Sequence, residues 1–82
     1  MDPLRNPDLS PRIRVLMALE RGHDSVEEVA KATGLSLSTV SKWLSVLAAS
    51  GKAKRVGRRY AITSEGVREL ERFRAELAAS SA

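Results

Sequence analysis

The segment GLSLSTVSKWL, from Gly34 to Leu44, has the apolar spacing of a helix and an unusual number of hydroxyl groups. Four of the six residues from Ser36 to Ser41 are serine or threonine. Both residue types are mediocre helix formers, because their side chains compete for backbone hydrogen bonds. The composition therefore indicates that short polar groups are needed on the surface of this helix.

The residues on either side of this segment predict a second helix and a tight turn. Ser25 with Glu28 three residues later forms a capping box that opens a helix over SVEEVAKAT. The apolar face of that helix is Val26, Val29, Ala30 and Thr33. Gly34 ends it, and a third helix is expected from a cap at Ser36 to about Ser50. Two helices joined by a short turn that contains glycine form a helix-turn-helix.

The rest of the chain predicts an arm, two further helices and a hairpin. Residues 1–9 contain two prolines and are expected to be extended, and Ser10 followed by Pro11 opens a first helix that Gly22 ends. The segment KAKRVGRRYAIT alternates loosely and places Gly57 and Arg58 at the tip of a hairpin. Its inward positions are Ala53, Tyr60 and Ile62. A last helix is capped by Thr63 or Ser64.

Composition excludes several classes of function. The 82 residues suffice for one small domain, and the absence of cysteine excludes disulfides, thiol chemistry and thiolate metal sites. The single histidine, His23, argues against a metal centre, and no nucleophile lies in an evident constellation with a base. We therefore expect no enzymatic activity, no cofactor and no small-molecule ligand. Without a membrane span or a signal-peptide core, the chain is expected to be cytoplasmic and nucleoid-associated.

The charge of the chain is segregated along its length. The formal net charge is +4, yet the stretch from Val29 to Ser64 has no acidic residue. Its seven cations are Lys31, Lys42, Lys52, Lys54, Arg55, Arg58 and Arg59. An acid-free basic window favours a polyanionic partner, and double-stranded DNA is the partner we expect. The alternative is a generally basic protein without a particular partner.

The two sides of the third helix differ in chemistry. The side expected to pack on the domain is formed by Val40, Leu44 and Leu47, with Leu37, Ser41 and Ala48 beside them. The opposite side gathers Ser38, Thr39, Lys42, Val46 and Ala49. Short side chains that can bond to base edges suit a helix in the major groove, and the free N–H groups after Ser36 favour a phosphate. Alternatively, Ser36 and Ser41 serve only as a cap and a packing residue.

These residues resemble a known family. The stretch ATGLSLSTVSKWLSVLAASGKAKRVGRRYAIT, followed by TSEGVREL, is similar to the winged helix-turn-helix of MarR- and ArsR-type transcriptional regulators over roughly residues 10 to 80. The resemblance implies a mainly α fold with a β-hairpin, in the order α-α-α-β-β-α. The chain is thus expected to consist of an arm at 1–9, a DNA-binding domain at 10–62 and a C-terminal helix at 63–82, for which dimerisation is expected. The hairpin from Ala53 to Ile62 would be the wing.

The resemblance also implies roles for individual residues. Ser38, Thr39 and Lys42 would face the major groove, while Arg55, Arg58 and Arg59 would straddle phosphates. Together with Lys54 these arginines are four cations within six residues, for which the alternative is a solvated charged turn. Arg58 at the wing tip is the best candidate for the minor groove, because arginine enters narrow A·T-rich grooves.

The last helix and the arm suggest a second copy of the chain. The apolar stripe of the last helix extends to Leu77, beyond what one small core requires, although it could simply close its own core. The expected dimerisation residues are Leu4, Leu9, Val67, Leu70, Phe73 and Leu77. We therefore expect a dimeric, sequence-specific repressor. The alternatives are a sequence-tolerant DNA-coating protein and a winged-helix module that binds other proteins.

Overall fold

The predicted order of helices and strands is confirmed. The computed structural model describes residues 2–80; Met1 of the predicted arm and Ser81 and Ala82 of the predicted last helix lie outside them. After a short 3-10 helix (Pro3–Arg5), the elements are α1 (Pro11–Glu20), α2 (Val26–Thr33), α3 (Leu37–Ala49), β1 (Ala53–Val56), β2 (Arg59–Ile62) and α4 (Ser64–Ser80). The fold is mainly α with one antiparallel two-stranded hairpin.

Hydroxyl caps set the starts of the helices, as their sequence positions indicate. The Oγ atoms of Ser10, Ser25 and Ser36 each accept a hydrogen bond from the backbone N–H three residues later. Thr63 Oγ1 accepts from the N–H of Gly66 at 3.2 Å, which makes Thr63 the cap of α4. Each cap satisfies a backbone donor that has no partner within the helix, and this stabilises the helix by about 1 kcal/mol.

A glycine shapes the turn of the helix-turn-helix. Gly34 has φ +75°, a left-handed conformation in which a Cβ atom is strained, and its N–H donates to the carbonyl of Ala30 at 2.8 Å. The chain then leaves α2 sharply and enters α3 three residues later. This turn fixes the angle between the two helices.

The core forms around α1. Seven consecutive residues of α1, from Ile13 to Leu19, are buried, which explains why its apolar residues are not limited to one stripe. This helix contacts α2, α3, β2 and α4. The large side chains that are fully buried with it include Val29, Val40, Leu44, Leu47 and Leu70.

The N-terminal residues pack on the core, and the prediction of an extended conformation is wrong for Pro3–Arg5. Pro3–Arg5 forms one 3-10 turn that places Leu4 in the core at 1% exposure. The buried guanidinium of Arg14 donates from Nε to the Leu4 carbonyl at 2.8 Å and from NH2 to the Thr33 carbonyl at 2.6 Å. It thereby joins the arm to the end of α2. These hydrogen bonds of Arg14 hold the N-terminal residues against the domain. They join residues that are distant in the sequence, so local spacing does not predict them.

The hairpin has the predicted turn. Val56 pairs with Arg59, so Gly57 and Arg58 form a two-residue loop between the strands. At the base of the hairpin, the Lys52 carbonyl accepts from the N–H of Thr63 at 3.1 Å. The first turn of α4 lies so close to this point that a Cβ atom at Gly66 would collide with the Lys52 carbonyl and the side chain of Ile62.

Two ion pairs hold α4 on α1. Arg12 donates two hydrogen bonds to the Glu69 carboxylate, at 2.7 and 2.8 Å, and Arg74 donates two to Glu20, at 3.1 and 2.7 Å. Beyond Phe73, every described residue of α4 is exposed.

Among residues 2–80, no helix is long and apolar enough to cross a membrane.

The structure changes the set of side chains that a second copy could contact. Leu4 and Leu70 were expected at a dimer surface, but both are buried in the core of their own chain. Their packing against α1 removes them from any surface. Leu9 and Phe73 are partly buried against the same core, Val67 is half-buried, and Leu77 is 49% exposed.

Candidate nucleic-acid interface

Helix α3 buries one stripe and exposes a face without acidic residues. Val40, Leu44 and Leu47 are fully buried, while Ser38 and Lys42 on the opposite side are exposed. The first turn of α3 has no acidic residue either. The exposed face of this helix therefore offers hydroxyl groups and one ammonium group to a partner.

Three positions on α3 differ from the helical-wheel expectation. Leu37 and Ser41 were expected against the domain but are exposed, whereas Thr39 was expected outward and is half-buried. Leu37 shares the angular position of Leu44 but precedes it by seven residues, which is about 10 Å along the helix axis. The core that covers Leu44 does not reach the start of the helix. An angular wheel contains no information about position along the axis.

A cluster of hydroxyl groups surrounds the start of α3. Ser36 Oγ donates to Thr39 Oγ1 at 2.9 Å and accepts from the N–H of Thr39 at 3.2 Å. It also lies 3.3 Å from Ser38 Oγ. Ser36 thus acts as a helix cap, and Ser38 is exposed beside it at the positively polarised end of the helix.

The wing faces one edge of α3 across an open cleft. An open cleft of about 710 Å³ is lined by Ser41 and Ser45 of α3 and by Arg55, Arg58 and Arg59 of the hairpin. Ser45 was not among the predicted site residues. Its spacing of seven from Ser38 places both on one helical face, and this signal could have identified it. The cleft brings α3 and the wing together as one surface.

The cations of the wing have different environments. Arg55 Nε donates to the Gly57 carbonyl at 2.9 Å, and its guanidinium lies 5.9 Å from the centre of the Tyr60 ring. Arg59 forms an ion pair with Asp24 at 2.6 Å. Arg58 and Lys54 are exposed and make no hydrogen bond or ion pair with a side chain anywhere in residues 2–80. These two are the wing cations most accessible to a new anion.

Asp24 is a functional candidate that sequence reasoning missed. Its carbonyl accepts from the N–H of Tyr60 at 2.7 Å, and its Oδ2 accepts from Arg59 at 2.6 Å. Arg59 therefore has an acidic partner in the fold, although the segment from Val29 to Ser64 contains no acidic residue. Asp24 precedes the acid-free window, and the fold brings it to the outer edge of β2. No local pattern indicates a contact between residues 35 positions apart.

Acidic groups limit the basic surface on one side. Asp24, Glu27 and Glu28 line the cleft from the start of α2, where carboxylates interact favourably with the helix dipole. Glu28 lies 3.8 Å from Nδ1 of His23. An anionic partner is therefore disfavoured along α2 and is favoured along α3 and the wing tip.

Trp43 flanks this surface. It is half-buried against the core, and the Lys42 ammonium lies 5.2 Å from the centre of its ring. A cation near an aromatic face is attracted to it, which restrains Lys42 without neutralising its charge.

Within residues 2–80, no group of three or more His, Asp or Glu side chains is arranged to hold a metal ion.

Comparison with known proteins agrees with this geometry. A family model described as a winged helix-turn helix matches residues 12–69, which is more than half of the chain. The match begins in α1 and ends in α4, so it includes both helices of the helix-turn-helix and the whole hairpin. No curated protein matches the sequence. Such domains typically bind DNA and are typically not enzymes. The chain belongs to the winged helix-turn-helix family.

Proposed function

We propose that this protein is a dimeric, sequence-specific transcriptional regulator of the MarR/ArsR type, which represses by covering a promoter. In this proposal α3 lies in the major groove, and the wing contacts the backbone and the minor groove. One observation carries the proposal. Ser41 and Ser45 of the acid-free helix α3 border the same open cleft as Arg58 of the wing tip, so one duplex could contact both elements.

The chemistry of α3 suits the floor of a major groove. Ser38 and Ser45 are short enough to let the helix approach base edges, and their hydroxyls donate or accept. Lys42 can reach the O6 and N7 acceptors of guanine or a phosphate. Ser36 and Thr39, which bond to each other, lie where backbone N–H groups favour a phosphate.

The wing supplies contacts that fix affinity and register more than sequence. Arg58 lies at the tip of the hairpin and Lys54 on β1, and both are exposed. Arg55 and Arg59 are already engaged by Gly57 and Asp24, so they reach a phosphate only by sharing or exchanging a partner. We therefore assign the main phosphate or minor-groove contacts of the wing to Arg58 and Lys54.

Dimerisation through α4 is supported by the part of this helix that extends past the core. Leu77 is 49% exposed, and the half-buried Phe73 and Val67 precede it on the same helix. Burying such a stripe against a second copy would stabilise a small domain, whose single core is limited in size. A twofold axis would then place two α3 helices in successive major grooves about 34 Å apart.

Selection of bound duplexes from a random pool tests the proposal. We expect a palindrome whose half-sites are centred about 10 base pairs apart, bound at least ~10³-fold more tightly than random duplex. The logarithm of the binding constant should fall with the logarithm of salt by about 0.9 per phosphate contacted. If the protein did not bind DNA even at low salt, the proposal would be overturned and a protein-interaction module would be favoured.

A sequence-tolerant DNA-coating protein is the second candidate. It is favoured by the small number of strong base-reading groups on α3, where Lys42 is the one charged residue. An α3 helix with mostly hydroxyl groups can sit in many grooves, because hydroxyls pair with donors and acceptors alike. This candidate predicts steep salt dependence together with a ratio of specific to random binding near one.

A further inference from the structure

Leu37 exposes a large apolar side chain where polar groups are otherwise the rule. It is the first residue of α3, it is 56% exposed, and it does not belong to the buried core or to the residues packed against it. A leucine at this position adds nothing to the cap, which Ser36 supplies. Its exposure in the free protein leaves apolar surface in water, and that surface is available to a partner.

The position of Leu37 on the helix places it on the proposed DNA surface. Leu37, Ser41 and Ser45 follow one another at intervals of four residues, so they form one row along α3. Ser41 and Ser45 line the cleft shared with the wing, and both are exposed. Leu37 is the N-terminal member of that row, and the N-terminal residues of a recognition helix contact base edges in helix-turn-helix complexes.

We propose that Leu37 is a specificity-determining residue that recognises thymine through the 5-methyl group in the major groove. This inference rests on the proposed function. The thymine methyl is the apolar feature of the major-groove edge, and contact with it requires an apolar side chain. Cytosine carries a hydrogen atom at C5 in place of this methyl, so it offers leucine less apolar surface to bury. Leu37 therefore favours thymine by burying its methyl group.

The test measures the methyl group directly and needs no known operator. The probes are an alternating A·T duplex of about 24 base pairs, which spans two helical turns, and the same duplex with every thymine replaced by uracil. Both probes have the same phosphates and the same hydrogen-bonding edges. Wild-type protein should bind the uracil duplex about fourfold more weakly for each methyl contacted. Leu37→Ala should bind both duplexes equally.

One variant and one measurement serve as controls. Leu37→Met keeps a long apolar side chain at the same position, so it should keep a preference for the thymine duplex. Thermal unfolding should show that Leu37→Ala remains folded, since Leu37 lies outside the core.

Three outcomes would overturn the inference. Equal binding of both duplexes by wild-type protein would show that no methyl is contacted. A preference for thymine that persists in Leu37→Ala would show that the methyl acts through DNA shape or another side chain. Failure of wild-type protein to bind either duplex at low salt would overturn the proposed function itself, and this result differs from the other two because it removes all binding.

Discussion

Asp24 and Arg59 are 35 residues apart in the chain, and an ion pair of 2.6 Å between them holds the wing against the start of α2. The backbone supports the same contact, because the Asp24 carbonyl accepts from the N–H of Tyr60 at 2.7 Å. Arg59 is 75% exposed and Asp24 37% exposed, so water screens the pair and its contribution to stability is small. The ion pair matters for two other reasons: it positions the wing relative to α2, and it engages Arg59, which would otherwise be available to a phosphate.

Asp24→Asn should release Arg59 for a phosphate. We expect the log–log salt dependence of DNA binding to steepen by about 0.9, the value for one additional phosphate contact. The measurement is binding to one duplex at a series of salt concentrations. Glu27→Gln is the matched control, because it removes the same charge from the same cleft without breaking the ion pair. Equal slopes for Asp24→Asn and wild-type protein would show that Arg59 gains no phosphate.

Lys42→Ala and Arg58→Ala should affect different properties of DNA binding. Loss of Lys42 should relax sequence preference, at a cost of about 1–3 kcal/mol on the preferred site. Loss of Arg58 should weaken binding to all sequences alike and reduce the salt slope by about 0.9. Arg72→Ala, which removes an exposed cation from α4, is the control for net charge. Identical behaviour of the two variants would contradict the division between α3 and the wing.

Gly66→Ala should destabilise the fold although alanine is the better helix former. Helix propensity alone would stabilise the protein by about 1 kcal/mol. A Cβ at this position, however, would collide with the Lys52 carbonyl and with the side chain of Ile62. Since a backbone oxygen cannot move aside without shifting the hairpin, we expect a net loss of about 1–3 kcal/mol. Urea unfolding measures this change in the free energy of unfolding. If Gly66→Ala were more stable than the wild-type protein, the expected collision of its Cβ would be refuted.

Leu4→Ala tests whether the N-terminal residues belong to the domain. Leu4 is 1% exposed, so truncating it should lower the free energy of unfolding by about 2–5 kcal/mol. Leu77→Ala, on the exposed end of α4, should change that free energy in the monomer by about 0.5 kcal/mol or less. Chemical denaturation at low protein concentration compares the two. Similar small losses would place residues 2–9 outside the cooperative unit.

Acid should weaken the attachment of α4 to α1. The hydrogen bonds from Arg12, helped by its charge, hold the pKa of Glu69 below its ordinary value of 4.5, and Arg74 lowers the pKa of Glu20 in the same way. A lowered pKa in the folded state means that stability is present above the unfolded value and is lost as pH falls through the folded one. We expect unfolding experiments to show this loss below about pH 4.5.

Glu69→Gln provides the control for the pH prediction. The variant should be less stable than wild-type protein at neutral pH by about 1 kcal/mol. The two should converge in acid, where the wild-type carboxylate is protonated and its ion pair with Arg12 is lost. A constant difference between the two proteins across this pH range would show that Glu69 does not titrate as expected.

Much of the fold could be predicted from neighbouring residues. Ser10, Ser25 and Ser36 mark helix starts because a hydroxyl that caps a backbone N–H acts over three residues. Gly34 ends α2 because its left-handed conformation suits glycine. The spacing of Val40, Leu44 and Leu47 predicted the buried stripe of α3 for the same local reason.

Contacts between distant residues could not be predicted in this way. The ion pair of Asp24 with Arg59, the two bonds of Arg14 and the exposure of Leu37 all depend on how separate elements meet. The amino-acid sequence by itself determined the helices, the turn, the hairpin and the basic segment, because capping, periodicity and turn geometry act within a few residues. Only the tertiary structure decided which cations remain accessible and which apolar side chains face water, because burial and pairing are set by neighbours far along the chain.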